Sequence, residues 1–390
     1  MKILIVNTYY YPNMIGGTEQ SIKLLAEGLK GQGHDVYVLT GDQGEKAFEE
    51  INGINIIRLD LNRKKSYIKK IIRKGLEFNN LAIKNKIVEI LEEIKPDVVH
   101  TNNLFYISPI IWKIAKEKNI KVVHTLRDYW GVCPKTSLLD RRMNICQNKK
   151  LLCKIHTSNY LRFSKYVDIV TAPSNFTLNI YSDEGLFKNA KKTMVPNAID
   201  INLIEHLKCI EERNKYDSDE IRYLFIGSLH EHKGIEYLID TFKSIDNKKL
   251  RLTICGDGPL KHRIEESIKS DKRISYLGTV FNDKKKEVLM KSDVMIVPSI
   301  WYEPFGRVVI EAYKYGLPVI ACKIGGINEL LNEDTSIGVE INNKDDLKSA
   351  ILALNNREHI KECIKNMIKY IDIYDIDKQV GSFVEIYKSN

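Results

Sequence analysis

The sequence predicts an α/β protein with two doubly wound, Rossmann-like domains. Short apolar segments typical of buried strands alternate with segments whose apolar residues recur at helical spacing, in both halves of the 390-residue chain. Several predicted strands end in glycine-containing loops that lead into a helix, as in the β-loop-α-β units of parallel sheets. Two such domains are expected to bind a ligand in a crevice between the carboxyl edges of their sheets.

The first half opens with one β-loop-α-β unit. Residues 1–8 are predicted as a strand, Gly16 and Gly17 start a helix, and residues 35–40 form the next strand. Thr18 is the candidate N-cap, and the glycine pair either lets the backbone approach a phosphate or only forms a tight turn. The fingerprint G-x-G-x-x-G is absent from this loop, which argues against nicotinamide-dependent hydride transfer. Further strands are predicted at residues 54–59, 96–101, 120–125 and 167–172.

The second half repeats the alternation after a polar connector near residues 205–220. Strands are predicted at residues 221–226, 250–255, 274–277, 294–297 and 317–321, and helices from residue 344 to the end. The predicted domains are residues 1–195 and 196–370. A terminal helix, residues 371–390, is expected to pack back on the first domain.

Charge suggests two kinds of partner. The formal net charge of +9 favours phosphate-rich ligands or an anionic membrane surface. Residues 63–74 carry seven positive charges and no acid, with isoleucines at helical spacing. This run is interpreted either as a basic amphipathic helix on anionic lipid or as a solvated helix on the domain core. Its cations are Arg63, Lys64, Lys65, Lys69, Lys70, Arg73 and Lys74.

Cysteine usage and hydropathy indicate the compartment. The seven cysteines are scattered, and the chain shows neither a secretory leader nor an apolar run long enough to span a membrane. The expected location is therefore the cytoplasm, including the inner face of the cell membrane. Cys133, Cys146, Cys153 and His156 offer four ligands for a structural metal, but their spacing fits no standard zinc motif, so no metal is expected.

The stretch from Trp301 to Ala312 contains the strongest functional signal. It follows a predicted buried strand and holds Glu303 and Glu311, eight residues apart, with Gly306 opening a helix between them. A helix N-terminus in such a loop attracts phosphate, and carboxylates accept hydrogen bonds from hydroxyl groups. The stretch therefore suits a ligand with phosphate at one end and a polyol at the other.

Two other loops supply candidate charges. Lys233 precedes Gly234 at a strand-to-helix turn, where a cation can neutralise a diphosphate, although a surface lysine is the plain alternative. Arg307 either adds a second charge or points to solvent. Arg127 and Asp128 follow a predicted strand in a polar, aromatic loop, where ligand contact is favoured over loop packing. The acidic triplets at residues 217–219 and 375–377 are interpreted as solvated charges rather than as a metal site.

Together these motifs resemble the retaining glycosyltransferases of family four, which have GT-B architecture. Residues 303–311 resemble the E-x7-E motif of that family, and the resemblance covers essentially the whole chain. Its other landmarks are Gly16-Gly17, Val195-Pro196-Asn197, residues 227–234, residues 255–259 and Gly325-Gly326. The resemblance implies transfer of a hexose from a nucleoside-diphosphate sugar to an acceptor hydroxyl, in cell-surface polysaccharide or glycolipid synthesis, without a metal or other cofactor.

The resemblance also assigns roles to residues. Glu311 is expected to bind the ribose, Glu303 the donor sugar and Lys233 the diphosphate, while Phe305 and Gly306 shape the sugar-facing loop. The expected donor-binding residues are Gly16, Gly17, Gly227, Lys233, Gly256, Glu303, Phe305, Gly306, Arg307 and Glu311. The expected catalytic residues are Glu303, Lys233, Arg127 and Asp128. The partners are a nucleotide-sugar donor and a glycan or lipid-linked acceptor, with no nucleic acid.

Two positions depart from the family pattern. Ser228 stands where the family usually has arginine, so diphosphate binding depends more on Lys233. Arg127 stands where the family often has histidine; it stays protonated and cannot act as a base, but it can stabilise developing negative charge. These departures leave room for a non-catalytic sugar-nucleotide-binding protein. A nucleotide-sugar epimerase of the same architecture is a second alternative. A nucleic-acid-binding protein that uses the positive charge is a third, although no groove-reading helix motif is visible.

Overall fold

The computed structural model describes residues 1–14, 16–41, 48–59, 81–140, 142–215 and 218–389. It contains two units, of which the first comprises Met1–Leu138, Gln147–Ala198 and Ile376–Asn390. The second comprises Leu139–Cys146 and Ile199–Asp375. The basic run predicted at residues 63–74 lies outside the described residues, as does Asp217 of the first acidic triplet.

Each unit is built on one sheet, as predicted. The first sheet has the order β3-β4-β2-β1-β5-β6-β7-β8, and only the β3–β4 pair is antiparallel. Its strands are β1 Lys2–Asn7, β2 Asp35–Thr40, β3 Phe48–Ile51, β4 Ile54–Arg58, β5 Val98–Thr101, β6 Lys121–Thr125, β7 Ile169–Ala172 and β8 Lys191–Met194. Central strands such as β1 are apolar along their length because helices cover both faces of a parallel sheet.

The second sheet is wholly parallel, with the order β11-β10-β9-β12-β13-β14. Its strands are β9 Ile221–Ile226, β10 Leu250–Cys255, β11 Ile274–Tyr276, β12 Val294–Val297, β13 Val319–Cys322 and β14 Ser336–Val339. In this order the first strand of the unit, β9, lies between the second and the fourth. The chain therefore reverses its direction of winding between β9 and β12, which makes this point a topological switch.

Helices connect the strands. In the first unit they are α1 Gly17–Gly31, α2 Leu81–Ile94, α3 Ile110–Glu117, α4 Leu151–Ser164 and α5 Asn175–Asp183. In the second they are α6 Leu203–Lys215, α7 Ile235–Lys243, α8 Lys261–Ile268, α9 Asn282–Lys291, α10 Arg307–Lys314, α11 Lys344–Ala353 and α12 Arg357–Ile371. Over the described ranges, every helix is too short or too polar to cross a bilayer.

The last helix, α13 Ile376–Lys388, belongs to the first unit, which confirms the expected return of the chain. Val380 and Phe383 lie in the core that α1 forms with the first sheet. Contact with α1 is close at Gly28, where an added Cβ would lie 2.6 Å from Cγ2 of Val380. Farther along α13, the hydroxyl of Tyr387 lies 2.7 Å from Nδ1 of the buried His100.

The N-terminus of α1 differs from the prediction. Gly16, not Thr18, is the N-cap. Its N–H donates to Oε2 of Glu19 at 2.8 Å, so the side chain three residues ahead satisfies the helix start. The helix therefore begins earlier than predicted, and Thr18 falls inside its first turn.

Asp293 holds three elements of the second unit together. Its buried carboxylate accepts bonds from Arg222 on β9 at 3.0 Å and from Arg357 at the start of α12 at 2.7 Å. Burial raises the pKa of Asp293, but the hydrogen bonds and charges of the two guanidinium groups outweigh it, so the pKa lies below its ordinary value. The stability that this carboxylate contributes is present at neutral pH and is lost as the pH falls through its lowered pKa.

We expect Asp293→Asn to lower the free energy of unfolding by roughly 3 kcal/mol at neutral pH, because two partly buried guanidinium groups lose the charge of the carboxylate that they share. Urea unfolding of the second unit, followed by circular dichroism, measures the loss. Asp219→Asn is the control, since Asp219 pairs with Lys249 at 3.0 Å on the exposed surface. Equal losses in the two variants would contradict the role given to Asp293.

Candidate functional site

The candidate site of the second unit lies at the topological switch of its sheet. Lys233 comes from the loop after β9, and Glu303 comes from the loop after β12, so the two loops leave neighbouring strands. Nζ of Lys233 forms an ion pair with Oε1 of Glu303. Loops at a switch point diverge above the sheet edge and leave a cleft for a ligand. The structure thus brings together two residues that are seventy positions apart in the sequence.

The carboxylate of Glu303 is buried and held by several donors. The hydroxyl of Ser299 donates to Oε1 of Glu303 at 3.1 Å. Another partner of Oε1, Nζ of Lys233, lies 5.3 Å from the ring centroid of Trp301. Burial raises the pKa of Glu303, but the charge of Lys233 and hydrogen bonds from Lys233, Trp301 and Ser299 outweigh it and lower the pKa below its ordinary value. Glu303 is therefore an ionised acceptor at neutral pH, suited to hydroxyl donors.

His232 joins this group, although the sequence did not single it out. Its ring centroid lies 5.2 Å from that of Trp301 and 5.3 Å from that of His230. Burial, followed by the charge of Lys233, lowers the pKa of His232 to about 4, so the imidazole is neutral at pH 7. In the sequence, the feature that could have identified His232 is its position directly before Lys233. Ser228, in the same loop, is exposed.

Two of the predicted glycines are required by close packing. Gly306 caps α10 with φ +96°, and a Cβ there would lie 2.6 Å from Cγ1 of Ile327. A Cβ on Gly256 would lie 1.8 Å from the carbonyl oxygen of Gly227, so the loops after β9 and β10 meet backbone to backbone. The positions of these loops therefore depend on glycine at both sites.

Glu311 lies on α10 between two cations. Arg307 donates from Nε to Oε1 at 3.2 Å, and Nζ of Lys285 on α9 lies 2.6 Å from Oε2. Arg307 therefore pairs with Glu311 rather than pointing to solvent. Lys285 was not predicted, because it belongs to a charged helix without a motif and reaches Glu311 only through the fold.

Phe305 is a correction to the expected donor contacts. Its ring is buried in the core of the second unit, with its centroid 6.1 Å from that of Tyr374. The side chain supports the loop from beneath and is not available to a ligand. The neighbouring carbonyl of Glu303 accepts a bond from the N–H of Gly326 at 2.7 Å, which fixes the loop at a second point.

Asparagines connect the predicted loops of the first unit. Asn7 ends β1, and its Oδ1 accepts from the N–H of Asn103 at 2.9 Å. Nδ2 of Asn103 donates to Oδ2 of Asp128 at 2.9 Å, and the N–H of Trp130 donates to Oδ1 at 2.7 Å. The loops after β1, β5 and β6 thus form one hydrogen-bonded surface. Sequence reasoning missed both asparagines, although each stands at the end of a predicted strand.

Arg127 is held by two further asparagines. Its Nε donates to Oδ1 of Asn102 at 3.0 Å, and its Nη1 donates to Oδ1 of Asn197. These two amide oxygens fix the direction of the guanidinium. A guanidinium carries a positive charge that suits an anion. Gly16 and Gly17, at the start of α1, are exposed in the same unit.

The cysteine cluster does not form a metal site. Among the residues that the structure describes, no three His, Cys, Asp or Glu side chains are arranged to hold a metal ion. His156 bonds through Nε2 to the carbonyl oxygen of Trp130, and Cys146 is exposed. His156 therefore serves to pack α4 against the loop after β6.

Two families match most of the chain. Residues 15–203 match the family described as "Glycosyltransferase Family 4", and residues 220–357 match "Glycosyl transferases group 1". A Klebsiella pneumoniae protein named "Uncharacterized 42.6 kDa protein in cps region" is 31% identical over 339 residues, which cover 85% of this chain and 87% of that protein.

Solved structures share the fold. Sucrose-phosphate synthase from Thermosynechococcus elongatus matches with a TM-score of 0.77 and 20% identity, over 99% of this chain and 98% of that one. HepE from Anabaena, solved in complex with UDP and glucose, matches with a TM-score of 0.71 and 16% identity over 100% of both chains. At these identities the likeness concerns the fold alone.

Asp128 gives the first unit a measurable pH dependence. Burial raises the pKa of Asp128 from 3.8 to about 6; the hydrogen bond from the Trp130 N–H opposes this rise, and the charge of Glu19 adds to it. The folded protein therefore holds this proton more tightly than the unfolded chain does. The free energy of unfolding falls as the pH rises through this interval.

We expect Asp128→Asn to abolish this decline, which amounts to roughly 1–2 kcal/mol after allowance for solvent screening. Urea unfolding of wild type and variant at several pH values between 4 and 7 measures the two slopes. The two proteins are compared by the slope of the free energy of unfolding against pH. Its absolute value is not compared, because the amide introduced at position 128 lies against Nδ2 of Asn103 and changes that value by itself. Parallel slopes would show that Asp128 titrates as an ordinary carboxyl.

Proposed function

We propose that this chain, which belongs to the family 4 and group 1 glycosyltransferases, is a retaining hexosyltransferase that uses a nucleoside-diphosphate sugar. The donor gives its hexose to an acceptor hydroxyl. The observation that carries the proposal is the Lys233–Glu303 ion pair at the topological switch of the second sheet. This pair provides a cation for a diphosphate and, beside it, a buried carboxylate for sugar hydroxyls.

Lys233 is proposed to stabilise the leaving group. As the bond between the anomeric carbon and the diphosphate oxygen lengthens, negative charge grows on the diphosphate and positive charge grows on the sugar ring. The ammonium of Lys233 is partly buried, so its interaction with that negative charge is stronger than it would be in water. Glu303 keeps Lys233 in place before the donor binds.

Glu303 is proposed to position the hexose. Its lowered pKa keeps it ionised, so it accepts hydrogen bonds from hydroxyl groups and does not compete with them as a donor. Because the acceptor attacks the face that the diphosphate leaves, the diphosphate oxygen takes the proton of the acceptor hydroxyl. This proton route needs no base from the protein, and His232, whose pKa is lowered to about 4, is only a weak base.

Glu311 and Arg127 are proposed to bind the rest of the donor. Glu311 accepts bonds from Lys285 and Arg307, and ribose hydroxyls would replace one of these donors at its carboxylate. Arg127 is proposed to stabilise developing negative charge, since its guanidinium is cationic and Asn102 and Asn197 fix its direction. The proposed reaction uses the sugar nucleotide without a further cofactor.

The proposed donor is a uridine diphosphate sugar, because HepE, which shares the fold, was solved with UDP and glucose. The proposed acceptor is a glycan or lipid-linked glycan of the cell surface. The Klebsiella relative, which is named as a protein in a cps region, supports surface polysaccharide as the product class.

We expect UDP to raise the melting temperature of the wild-type protein, because a ligand that binds only the folded state stabilises it. Glu311→Ala should weaken UDP binding at least about tenfold, since it removes the proposed ribose contact. Glu303→Ala should impair sugar transfer more than it weakens UDP binding. Calorimetric titration with UDP, and release of UDP from UDP-glucose with and without acceptor glycan, measure the two effects.

Glu211→Ala is the control. Glu211 is also a helical glutamate of the second unit with a lysine partner, Lys215 at 2.6 Å, and it lies on α6, outside the predicted donor-binding loops. Undiminished UDP binding by a folded Glu311→Ala protein would refute the ribose assignment. Epimerised donor without acceptor would favour the epimerase alternative, and UDP-sugar binding without turnover would favour a sensor.

A further inference from the structure

Helix α4 buries polar side chains and exposes aliphatic ones. Its buried side carries His156, Thr157 and Tyr160. Its first turns expose aliphatic side chains instead: Leu151 is 72% exposed and Leu152 is 76% exposed. A helix that packs on a protein core normally buries its aliphatic side and exposes its polar side. The exposed leucines of α4 therefore need an explanation outside the core of the first unit.

The exposed leucines form one patch with a further aliphatic side chain. Ile155 is four residues after Leu151, one helical turn along the same side, and it is 50% exposed. Leu152 lies beside them. We call these three residues, Leu151, Leu152 and Ile155, the α4 patch. Three adjacent exposed aliphatic side chains on a regular helix are unfavourable in water and favour contact with an apolar phase.

The charges around the α4 patch identify the kind of partner. Residues 147–166 contain five Lys or Arg and no Asp or Glu. Lys150 and Lys154 flank the patch and are exposed, whereas Lys149 pairs with Glu184 at 2.6 Å. Lysines beside an apolar patch can lay their stems on the apolar surface while their ammonium groups reach an anionic layer.

We propose that α4 is a membrane-docking element that inserts the α4 patch into an anionic lipid surface. The aliphatic side chains enter the boundary between headgroups and acyl chains, and Lys150 and Lys154 pair with lipid phosphates. This element is separate from the basic run at residues 63–74. It does not depend on the proposed transfer reaction, since lipid binding can be measured without donor or acceptor.

Helix α6 provides the matched control. It also exposes aliphatic side chains, with Leu203 at 53% and Ile204 at 68% exposure. However, Leu203–Lys215 contains as many acids as bases, three of each. A contact driven by aliphatic exposure alone would use both helices, whereas an anionic membrane should select α4.

Co-sedimentation of the full chain with vesicles tests the proposal. Wild type should bind phosphatidylcholine–phosphatidylglycerol vesicles and bind phosphatidylcholine vesicles far more weakly. Leu151→Gln/Leu152→Gln should reduce binding about tenfold or more, because the apolar insertion is lost. Lys150→Gln/Lys154→Gln should reduce it about thirtyfold at low salt. Leu203→Gln/Ile204→Gln should bind like wild type, and unchanged melting temperatures should show that every variant is folded.

Three results would overturn the proposal. One is that the Leu151→Gln/Leu152→Gln variant binds anionic vesicles as tightly as wild type does. This includes the case in which Lys69→Gln/Lys70→Gln is the only variant that loses affinity. Another is an equal loss in the α6 variant. The third is absence of vesicle binding together with self-association that Leu151→Gln/Leu152→Gln abolishes, since the α4 patch would then contact a second copy of the chain. As a positive signal, Leu152→Trp should shift its emission to the blue on anionic vesicles only.

Discussion

The Lys233–Glu303 ion pair is the contact on which the second unit's site depends. It joins the loops that follow β9 and β12, the two strands between which the sheet changes its direction of winding. A lone buried carboxylate would be expensive to ionise, and a lone lysine would be free to turn to solvent. Lys233 therefore helps to keep Glu303 ionised, and Glu303 keeps Lys233 in place. The ring centroid of Trp301 lies 5.3 Å from the ammonium.

Glu311 is also held by cations, Lys285 and Arg307, whereas Arg127 donates to Asn102 and Asn197. The carboxylate of Glu311 therefore already has counter-charges, and a hydroxyl group that binds to it must displace one of these donors. In the first unit, the two asparagine amide oxygens fix the direction in which the guanidinium of Arg127 points.

Most strands could be predicted from the sequence because burial on both faces leaves an unbroken apolar run, as in β1 and β12. The exceptions have a physical reason. The strands that were not predicted, β3, β8 and β14, lie at the edges of their sheets; β3 and β8 are largely exposed and β14 is half-buried, so none carries a long apolar run. At the candidate site, Glu303 and Lys233 could be recognised from their strand-to-helix loops. Lys285 and Asn103 could not, because only the fold brings them to Glu311 and Asp128.

The path of the chain through the first unit has a consequence for its synthesis. The chain leaves that unit at Ala198 and returns to it only at Ile376, and Val380 and Phe383 complete its core. All segments of the second unit have been made by Asp375. On a ribosome, which releases the chain from the N-terminus onward, the side of α1 around Gly28 therefore stays uncovered until α13 emerges. The half of the protein that is synthesised first is the half that completes its folding last.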